Sequence, residues 1–381
     1  MRIAVGLLTL GAVAFGVTYS DHAPLIPLVS AEYGLDDLSA GLLSAALFVT
    51  YITVTLLTTG LADRVGPKRM VGAGLGVSAV GTALFAIAPS YGIALGAKAL
   101  QGVGSALAFV AAARYVAGVY GERRSHFALG LYGAGFPAGS ALALIAMPAL
   151  AASLGGWRGA FWVETAFVAV SAVLWTMAPS VPPVSRPGTM ADALRCANCW
   201  WTSLQHAAGF GLAIASGTWI TVYLVREFQL PLALSGLLGS SLLLLAVLSR
   251  PIGGLLLARE HVPTLAVMRA GDLAIVIGVA LLAVPGRPLA VALLGALLVG
   301  IGVGLPYSAV FNTAAASLPA APGAAQGLAA VGGTAGVMVG APAMGYAVQT
   351  LGFWAAWGFV GALSALALAG TAFMRGEEEL A

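Results

Sequence analysis

Arg250 is the residue whose type and position most clearly predict chemistry. It stands nine residues before Arg259, inside a long apolar run. If that run is a membrane helix, the rise of 1.5 Å per residue puts Arg250 about 14 Å below the boundary, near the middle of a ~30 Å hydrocarbon core. A guanidinium keeps its charge there, and its fork of donors suits a carboxylate or another small oxyanion. The sequence leaves open whether Arg250 binds an anion or pairs with an acid such as Glu164 or Asp272.

Asp21 and Lys98 form a second candidate group. Asp21 follows Ile3 by 18 residues on the first apolar run, and Lys98 follows Gly92 by six on the fourth. On antiparallel helices these counts place the two side chains within ~6 Å in height. Because a buried lysine can lose its proton, this pair could relay protons with the neighbouring His22. A purely structural ion pair is the alternative.

The composition is that of a membrane protein. Hydrophobic residues make up 60% of the 381 and charged residues only 8%, against roughly 25% charged in a soluble domain. The mean hydropathy is +0.97. The 17 basic residues are scattered among short loops, which excludes a nucleic-acid-binding face and makes the lipid bilayer the expected partner.

Twelve apolar runs are long enough to cross a bilayer as helices. Arg2 and the run after it could form a signal peptide, but eleven further runs favour a first span. The predicted spans are 3–26, 39–59, 70–88, 92–115, 126–152, 158–178, 201–224, 232–257, 264–284, 288–316, 323–350 and 353–374.

The basic residues predict the topology and a proline-rich stretch divides the chain. Most Lys and Arg fall on the side that carries both termini, so we expect a multi-pass protein of the plasma (inner) membrane with both termini cytoplasmic.

Pro182 and Pro183 interrupt any helix in 179–198. We therefore predict an all-α protein with a six-helix bundle in 1–178, a cytoplasmic linker in 179–198 and a second six-helix bundle in 199–381.

Glycine patterns indicate an internal repeat. Gly102-Val103-Gly104 in span 4 recurs as Gly302-Val303-Gly304 in span 10, as expected of a parallel repeat. Gly332, Gly336 and Gly340 share one face of span 11. Such glycines let helices approach closely, either as static packing or as surfaces that slide.

A short turn carries a resemblance to a known family. Leu61-Ala62-Asp63-Arg64-Val65-Gly66-Pro67-Lys68 resembles the loop between the second and third helices of the major facilitator superfamily, whose pattern is Gly-x-Leu-Ala-Asp-Arg-x-Gly-x-Lys. The resemblance implies the major facilitator fold of twelve transmembrane helices in two bundles. It also implies that Asp63, Arg64, Gly66 and Lys68 act as a conformational latch.

The same resemblance suggests substrate ligands. Lys98-Ala99-Leu100-Gln101-Gly102-Val103-Gly104 is similar to the Arg-x-x-Gln-Gly-x-Gly pattern of span 4, which lines the family's cavity with spans 1, 7 and 10. This implies substrate-binding roles for Lys98 and Gln101. His206 on span 7 and Tyr307 and Asn312 on span 10 are further candidate ligands, although each is also an ordinary interhelical hydrogen bonder.

Span 8 suggests the substrate class. Arg250-Pro251-Ile252-Gly253-Gly254 resembles the nitrate and cyanate permease branches, in which a span-8 arginine meets the anion. The nitrate branch also has an arginine in span 2, where this chain has Thr55, so the resemblance favours cyanate-like or carboxylate substrates. We expect a monomeric, alternating-access transporter that takes up a small organic or inorganic anion with protons. The alternative is proton-driven efflux of drugs or metabolites.

Other function classes find little support. The sequence has no metalloprotease, phosphate-loop or nucleophile-elbow motif, so we predict no enzyme activity and no cofactor. Cys196 and Cys199 have the spacing of half a zinc site, but a structural site needs four ligands, so no metal is expected. A channel should show repeated polar rings and a sensor an appended soluble domain, and neither is visible.

Overall fold

The computed structural model describes residues 2–58, 65–120, 122–181, 190–257 and 262–380. Within these ranges the regular structure is helical, and twelve segments are long and apolar enough to cross a membrane. The number of spans expected from the sequence is confirmed. Spans 1 to 12 are Ile3–Tyr33, Asp37–Thr58, Pro67–Ile87, Tyr91–Phe109, Leu131–Ser153, Trp157–Trp175, Ala197–Phe228, Leu232–Leu257, Thr264–Ala283, Leu289–Ser317, Ala324–Leu351 and Phe353–Leu380.

Several spans belong to longer or broken helices. The helices of spans 4, 5 and 11 run over Tyr91–Tyr120, Glu122–Ser153 and Pro322–Leu351. Span 1 joins helices Arg2–Ser20 and Ile26–Tyr33 through a 3₁₀ turn, Ala23–Leu25, and span 7 joins helices Ala197–His206 and Leu212–Phe228 through Ala207–Gly211. Span 10 consists of helices Leu289–Gly304 and Tyr307–Ser317. Span 12 consists of helix Phe353–Gly370, a 3₁₀ turn, Thr371–Phe373, and helix Glu377–Leu380. A short helix, Met190–Leu194, precedes span 7.

Span 1 is longer than the sequence predicted, and this changes the depth of Asp21. The expected end near residue 26 is wrong because Pro24 and Pro27 sit in the first turn of new helical segments, where a missing N–H costs nothing. The helix restarts instead of ending and continues to Tyr33. Asp21 therefore lies about 18 Å before the end of span 1 at 1.5 Å per residue, closer to the middle of the span than to its boundary.

The described chain forms two compact units. Unit 1 comprises Met1–Asp36, Leu42–Arg186 and Pro231–Leu237, and unit 2 comprises Asp37–Gly41, Pro187–Leu230 and Leu238–Ala381. Prolines 182, 183 and 187 of the predicted linker lie outside the described residues.

Aromatic side chains fill the core of unit 1. Phe85, Trp157 and Phe161 are buried together, with ring centroids 4.4 to 5.8 Å apart. Trp157 and Phe161 share one face of span 6, so that face turns inward. The core of unit 2 gathers smaller side chains from several helices, including Met268, Val310 and Leu328.

Glycines of unit 1 allow backbone contact between spans 1 and 5. A Cβ on Gly16 would collide with the carbonyl oxygen of Phe136, and one on Gly139 would collide with that of Val13. The two contacts are reciprocal, so a side chain at either position would force the two helices apart. In unit 2, Gly332 and Gly336 of span 11 meet Ser203 and Ala207 of span 7 in the same way. At these positions the glycines pack helices within a unit.

The glycines of the internal repeat pack against neighbouring spans in both units. Gly102 contacts Leu47 of span 2, and both Gly300 and Gly304 pack on span 8, against Leu242 and Ala246. Gly104 packs on Gly74 of span 3, and Gly302 packs on Gly271 of span 9. Glycine occupies every second position in 300–304, so this stretch approaches spans 8 and 9 closely.

Gly16→Ala is expected to lower the melting temperature of the detergent-purified protein by several degrees. A methyl group at residue 16 must displace the backbone of span 5, and overpacking of this kind costs about 1–3 kcal/mol. Gly6→Ala is the matched control, because nothing lies within 4 Å of a Cβ there and alanine favours a helix over glycine. Equal melting temperatures for the two variants would contradict the close packing of spans 1 and 5.

Candidate functional site

A small cavity inside unit 2 collects polar side chains from spans 7, 8 and 10. It is lined by Gln205, His206, Gly209, Phe210, Arg250, Val303, Pro306, Tyr307 and Val310. Four of the nine can hydrogen-bond or carry charge, and the rest form apolar walls. A few polar groups converging in an apolar cavity are typical of a small-molecule site.

Arg250 lies against the aromatic ring of Tyr307. The carbon centre of the guanidinium is 4.2 Å from the ring centroid, and the residue is 8% exposed. Tyr307 begins a new helix directly after Pro306 interrupts span 10, and that break determines where the ring stands. A stacked ring attracts the cation and holds the plane of the guanidinium. The local fold therefore presents a permanent positive charge at the cavity.

His206 adds a second polar group to the same wall. Its Nδ1 lies 2.9 Å from the carbonyl oxygen of Ala329, and its ring packs against Phe210 and Phe311 at centroid distances of 5.5 and 4.9 Å. Because Nδ1 faces an acceptor, it carries the proton. Nε2 is buried without a hydrogen-bond partner among the described residues. It is an acceptor when the ring is neutral and a donor when the ring is charged.

A π-helical turn, Ala207–Gly211, follows His206 directly. It contributes Gly209 and Phe210 to the cavity wall. A π turn inserts an extra residue into a helix and often marks a functional site. Here the π turn lies within span 7 and does not end the span. No sequence pattern predicted this turn.

Gln205 connects the cavity to a buried acid. Its Nε2 donates to Asp272 Oδ2 at 3.0 Å and to the carbonyl oxygen of Ala367 at 2.8 Å. Asp272 is only 1% exposed, and it was one of the two acids considered as a partner for Arg250. In the structure it accepts its hydrogen bond from Gln205. The other acid, Glu164, belongs to unit 1.

Asp21 is the centre of a polar cluster inside unit 1. Its carboxylate pairs with the Lys98 ammonium, accepts the His22 backbone N–H at 2.5 Å and ring Nδ1–H at 3.0 Å, and accepts Gln101 Nε2–H at 3.3 Å. All four side chains are fully buried. The pairing of Asp21 with Lys98 that the helical geometry allowed is present in the structure.

The other polar atoms of this cluster are also satisfied. Lys98 donates to the Thr18 carbonyl at 2.9 Å and to Gln101 Oε1 at 2.8 Å. His22 Nε2 meets Ser44 Oγ at 2.8 Å. A network this complete holds its members rigidly. Lys98 and Gln101, which the sequence suggested as substrate ligands, have their donors engaged here.

The remaining predicted site residues lie elsewhere. Asn312 is exposed and does not line the cavity. Of the predicted latch, Asp63 and Arg64 lie outside the described residues. Gly66 has a φ of +93°, which favours glycine, and directly precedes helix Pro67–Ile87. Lys68 Nζ donates to the Thr176 carbonyl at 2.9 Å, so it ties the start of span 3 to the end of span 6.

Sequence reasoning missed two polar residues at these sites. Gln205 was passed over because an amide beside His206 carries no charge and has no spacing signal. Glu164 was considered only as a partner of Arg250, yet it interacts electrostatically with Asp21 and Lys98. The signal that could have found it is the cost of an ionisable side chain in a membrane span, which makes every such residue a functional candidate.

Curated relatives at low identity are membrane transporters. Over 84% of this chain and 79% of the relative, the sequence is 28% identical to a "Probable nitrate/nitrite antiporter NarK1" of Thermus thermophilus. Over 87% of this chain and 85% of the relative, the sequence is 24% identical to a "Probable nitrate transporter NarT" of Staphylococcus epidermidis. A shorter match of 30% identity to a "Probable sphingolipid transporter spinster homolog 1" of Arabidopsis thaliana covers 38% of this chain and 30% of the relative.

Solved structures show the same fold. A bacterial homolog of the human lysosomal transporter Spinster, in an inward-facing and occupied conformation, superposes with a TM-score of 0.76 at 16% identity, over 97% of this chain and 95% of that one. The nucleoside transporter NupG superposes with a TM-score of 0.77 at 14% identity, over 98% of this chain and 99% of NupG. The family model described as "Major Facilitator Superfamily" matches residues 8–331. With twelve spans, this fold and this match, the chain belongs to the Major Facilitator Superfamily of membrane transporters.

Proposed function

We propose that this transporter takes up a small organic or inorganic anion together with protons. The observation that carries the proposal is Arg250, which lines the cavity of unit 2 against Tyr307. A guanidinium in an apolar site is costly unless a negative group compensates it. An anion bound in the cavity supplies that charge, and a guanidinium can hold an oxyanion with two parallel hydrogen bonds.

The need for protons follows from the membrane potential. An anion that enters a cell alone moves against an inside-negative potential, at about 2.3 kcal/mol per charge per 100 mV. Co-transport of at least one proton offsets this cost. The Asp21, His22 and Lys98 cluster of unit 1 offers ionisable groups, and we assign proton coupling to it.

Two observations bear on which anion is bound. The curated relatives that cover most of the chain are named as nitrate or nitrite transporters. Against this, Thr55 occupies the span-2 position at which the nitrate branch has an arginine. A site with one arginine suits a singly charged anion, so the proposal covers nitrate, nitrite, cyanate and small monocarboxylates.

The cellular setting is part of the same proposal. The excess of Lys and Arg on the side of the two termini supports cytoplasmic termini and a place in the plasma (inner) membrane. We propose that the protein acts as a monomer.

A thermal-shift screen tests the anion assignment. The detergent-purified protein is heated with nitrate, nitrite, cyanate or small carboxylates as sodium salts, and with chloride salts of cations as controls at equal ionic strength. A ligand at 100 times its dissociation constant stabilises by about 2.7 kcal/mol, so one or more anions should raise the melting temperature by several degrees. Stabilisation by cations alone would contradict the proposal.

Tyr307→Leu is expected to weaken anion uptake several-fold, whereas Tyr307→Phe should stay within about two-fold of wild type. The ring holds the Arg250 plane by a cation–π contact worth about 0.5–2 kcal/mol, and phenylalanine keeps the ring but leucine does not. Uptake of a labelled anion into proteoliposomes measures both. If the leucine variant transports as well as wild type, Tyr307 does not position Arg250.

A further inference from the structure

We propose that Glu164 on span 6 is the residue that carries the transported proton. This inference rests on the proposed proton-coupled uptake and names the group within unit 1 that gains and loses the proton. Glu164 is 3% exposed and interacts electrostatically with Asp21 and Lys98. No function described above uses it.

The hydrogen bonds of the cluster distinguish its two acids. Asp21 receives the Lys98 ammonium, the His22 ring and backbone N–H groups and the Gln101 amide. Neither oxygen of Glu164 accepts a hydrogen bond from a donor among the described residues. A buried carboxylate needs several donors to remain charged, but a neutral carboxylic acid needs far fewer. The donors therefore make Asp21 the ionised acid and Glu164 the protonated one.

The charge balance leads to the same assignment. His22 donates Nδ1–H to Asp21 and directs Nε2 at the Ser44 hydroxyl, an arrangement that a neutral ring satisfies. Lys98 then supplies a single positive charge, which Asp21 neutralises. A second ionised acid would leave a net negative charge in a fully buried site, at a cost of several kcal/mol. A proton on Glu164 removes that charge.

Other ionisable groups around span 6 do not change this balance. On span 3, Lys68 and Arg69 occupy the first turn, and the Lys68 ammonium reaches the Thr176 carbonyl at the far end of span 6. Tyr132 is the ionisable side chain in span 5, Leu131–Ser153. On span 1, Glu32 pairs with Arg158 of span 6, so these two charges offset each other. The groups that interact with Glu164 within the described residues are thus Asp21 and Lys98.

The proton step is a simple dissociation. When water reaches the cluster, the O–H bond of the Glu164 carboxylic acid breaks, the proton passes to water, and the bonding pair remains on the carboxylate. Two carboxylates then compete for the Lys98 ammonium. Binding of the next proton restores the neutral, closed cluster.

Glu164→Gln tests the assignment, because glutamine resembles the protonated acid and cannot release a proton. In proteoliposomes this variant should exchange anion at equal pH on both sides within about two-fold of wild type. Its accumulation of anion under a pH gradient should be at least ten-fold lower than that of wild type. The matched control is Glu227→Gln, at a partly exposed acid paired with Arg287, which should keep both activities.

Infrared spectroscopy gives a readout that does not depend on transport. Purified wild-type protein at pH 7 should show a protonated carboxyl band that is lost in Glu164→Gln and kept in Glu227→Gln. If no anion binds or exchanges in wild-type protein, the proposed function fails, but this band still tests Glu164 by itself.

Three results with Glu164→Gln would overturn the proposal. One is gradient-driven accumulation by Glu164→Gln at the wild-type level, and another is the same protonated carboxyl band in wild type and variant. Loss of both exchange and accumulation by a well-folded variant is the third, since Glu164 would then serve the whole transport cycle. If Glu164→Gln does not fold, Glu164→Asp is tested in its place. This variant should accumulate anion, but with a pH dependence shifted from that of wild type. A pH dependence equal to that of wild type would overturn the assignment.

Discussion

Arg250→Lys is expected to reduce anion uptake roughly 10- to 100-fold while the protein remains folded. Lysine keeps the positive charge but loses the fork of donors and the flat face that packs on Tyr307. One hydrogen bond to a charged group is worth about 1.5–3 kcal/mol, and each 1.4 kcal/mol is tenfold in affinity. Initial rates of uptake into proteoliposomes at low anion concentration measure the effect.

The matched control is Arg269→Lys. Arg269 is also an arginine of unit 2, but its side chain donates to Thr371 Oγ1 at 2.9 Å and does not line the cavity. This variant should keep uptake within about two-fold of wild type. Equal losses in the two variants would indicate a general effect on stability, and wild-type uptake by Arg250→Lys would remove the basis of the anion assignment.

Asp21→Asn is expected to reduce the anion accumulation that a pH gradient drives by ten-fold or more. Exchange of preloaded anion should remain. The substitution deprives Lys98 of its paired carboxylate, and breaking a buried ion pair costs about 3–5 kcal/mol. Lys98 still donates to the Thr18 carbonyl and to Gln101. Glu164 can also ionise to neutralise it, so the protein should fold with a lowered melting temperature but no longer bind a transported proton.

The double variant Asp21→Asn with Lys98→Met separates coupling from structure. It removes both charges of the pair and should therefore regain much of the lost melting temperature. Under the proposed coupling role it remains unable to accumulate anion with a pH gradient. Recovery of accumulation together with stability would mean that the pair is structural.

Most of the fold could be predicted from the sequence because a bilayer imposes simple rules. Apolar length determines the number of spans, and short loops with glycine or proline separate them. The missed features are local. Pro24 and Pro27 restart a helix instead of ending it, and the π turn after His206 packs against span 11, where Gly211 meets Gly336. Hydropathy reports neither.

The candidate site was only partly predictable, for a related reason. A charge in a membrane span is conspicuous, so Arg250, Asp21 and Lys98 stand out. Which charges meet depends on helix rotation, and a single residue turns a helix by about 100°. Depth along the helices brought Asp21 and Lys98 together correctly, but it could not show that Glu164 joins them or that Asp272 accepts from Gln205.

The most direct test of the account is the movement of protons when an anion is added. Proteoliposomes with a pH-sensitive dye trapped inside receive nitrate, cyanate or another member of the anion panel outside. The account predicts that at least one anion acidifies the interior with the wild-type protein, but not with Arg250→Lys or in protein-free liposomes. Entry of the anion with no acidification, or with protons leaving the interior, would contradict it.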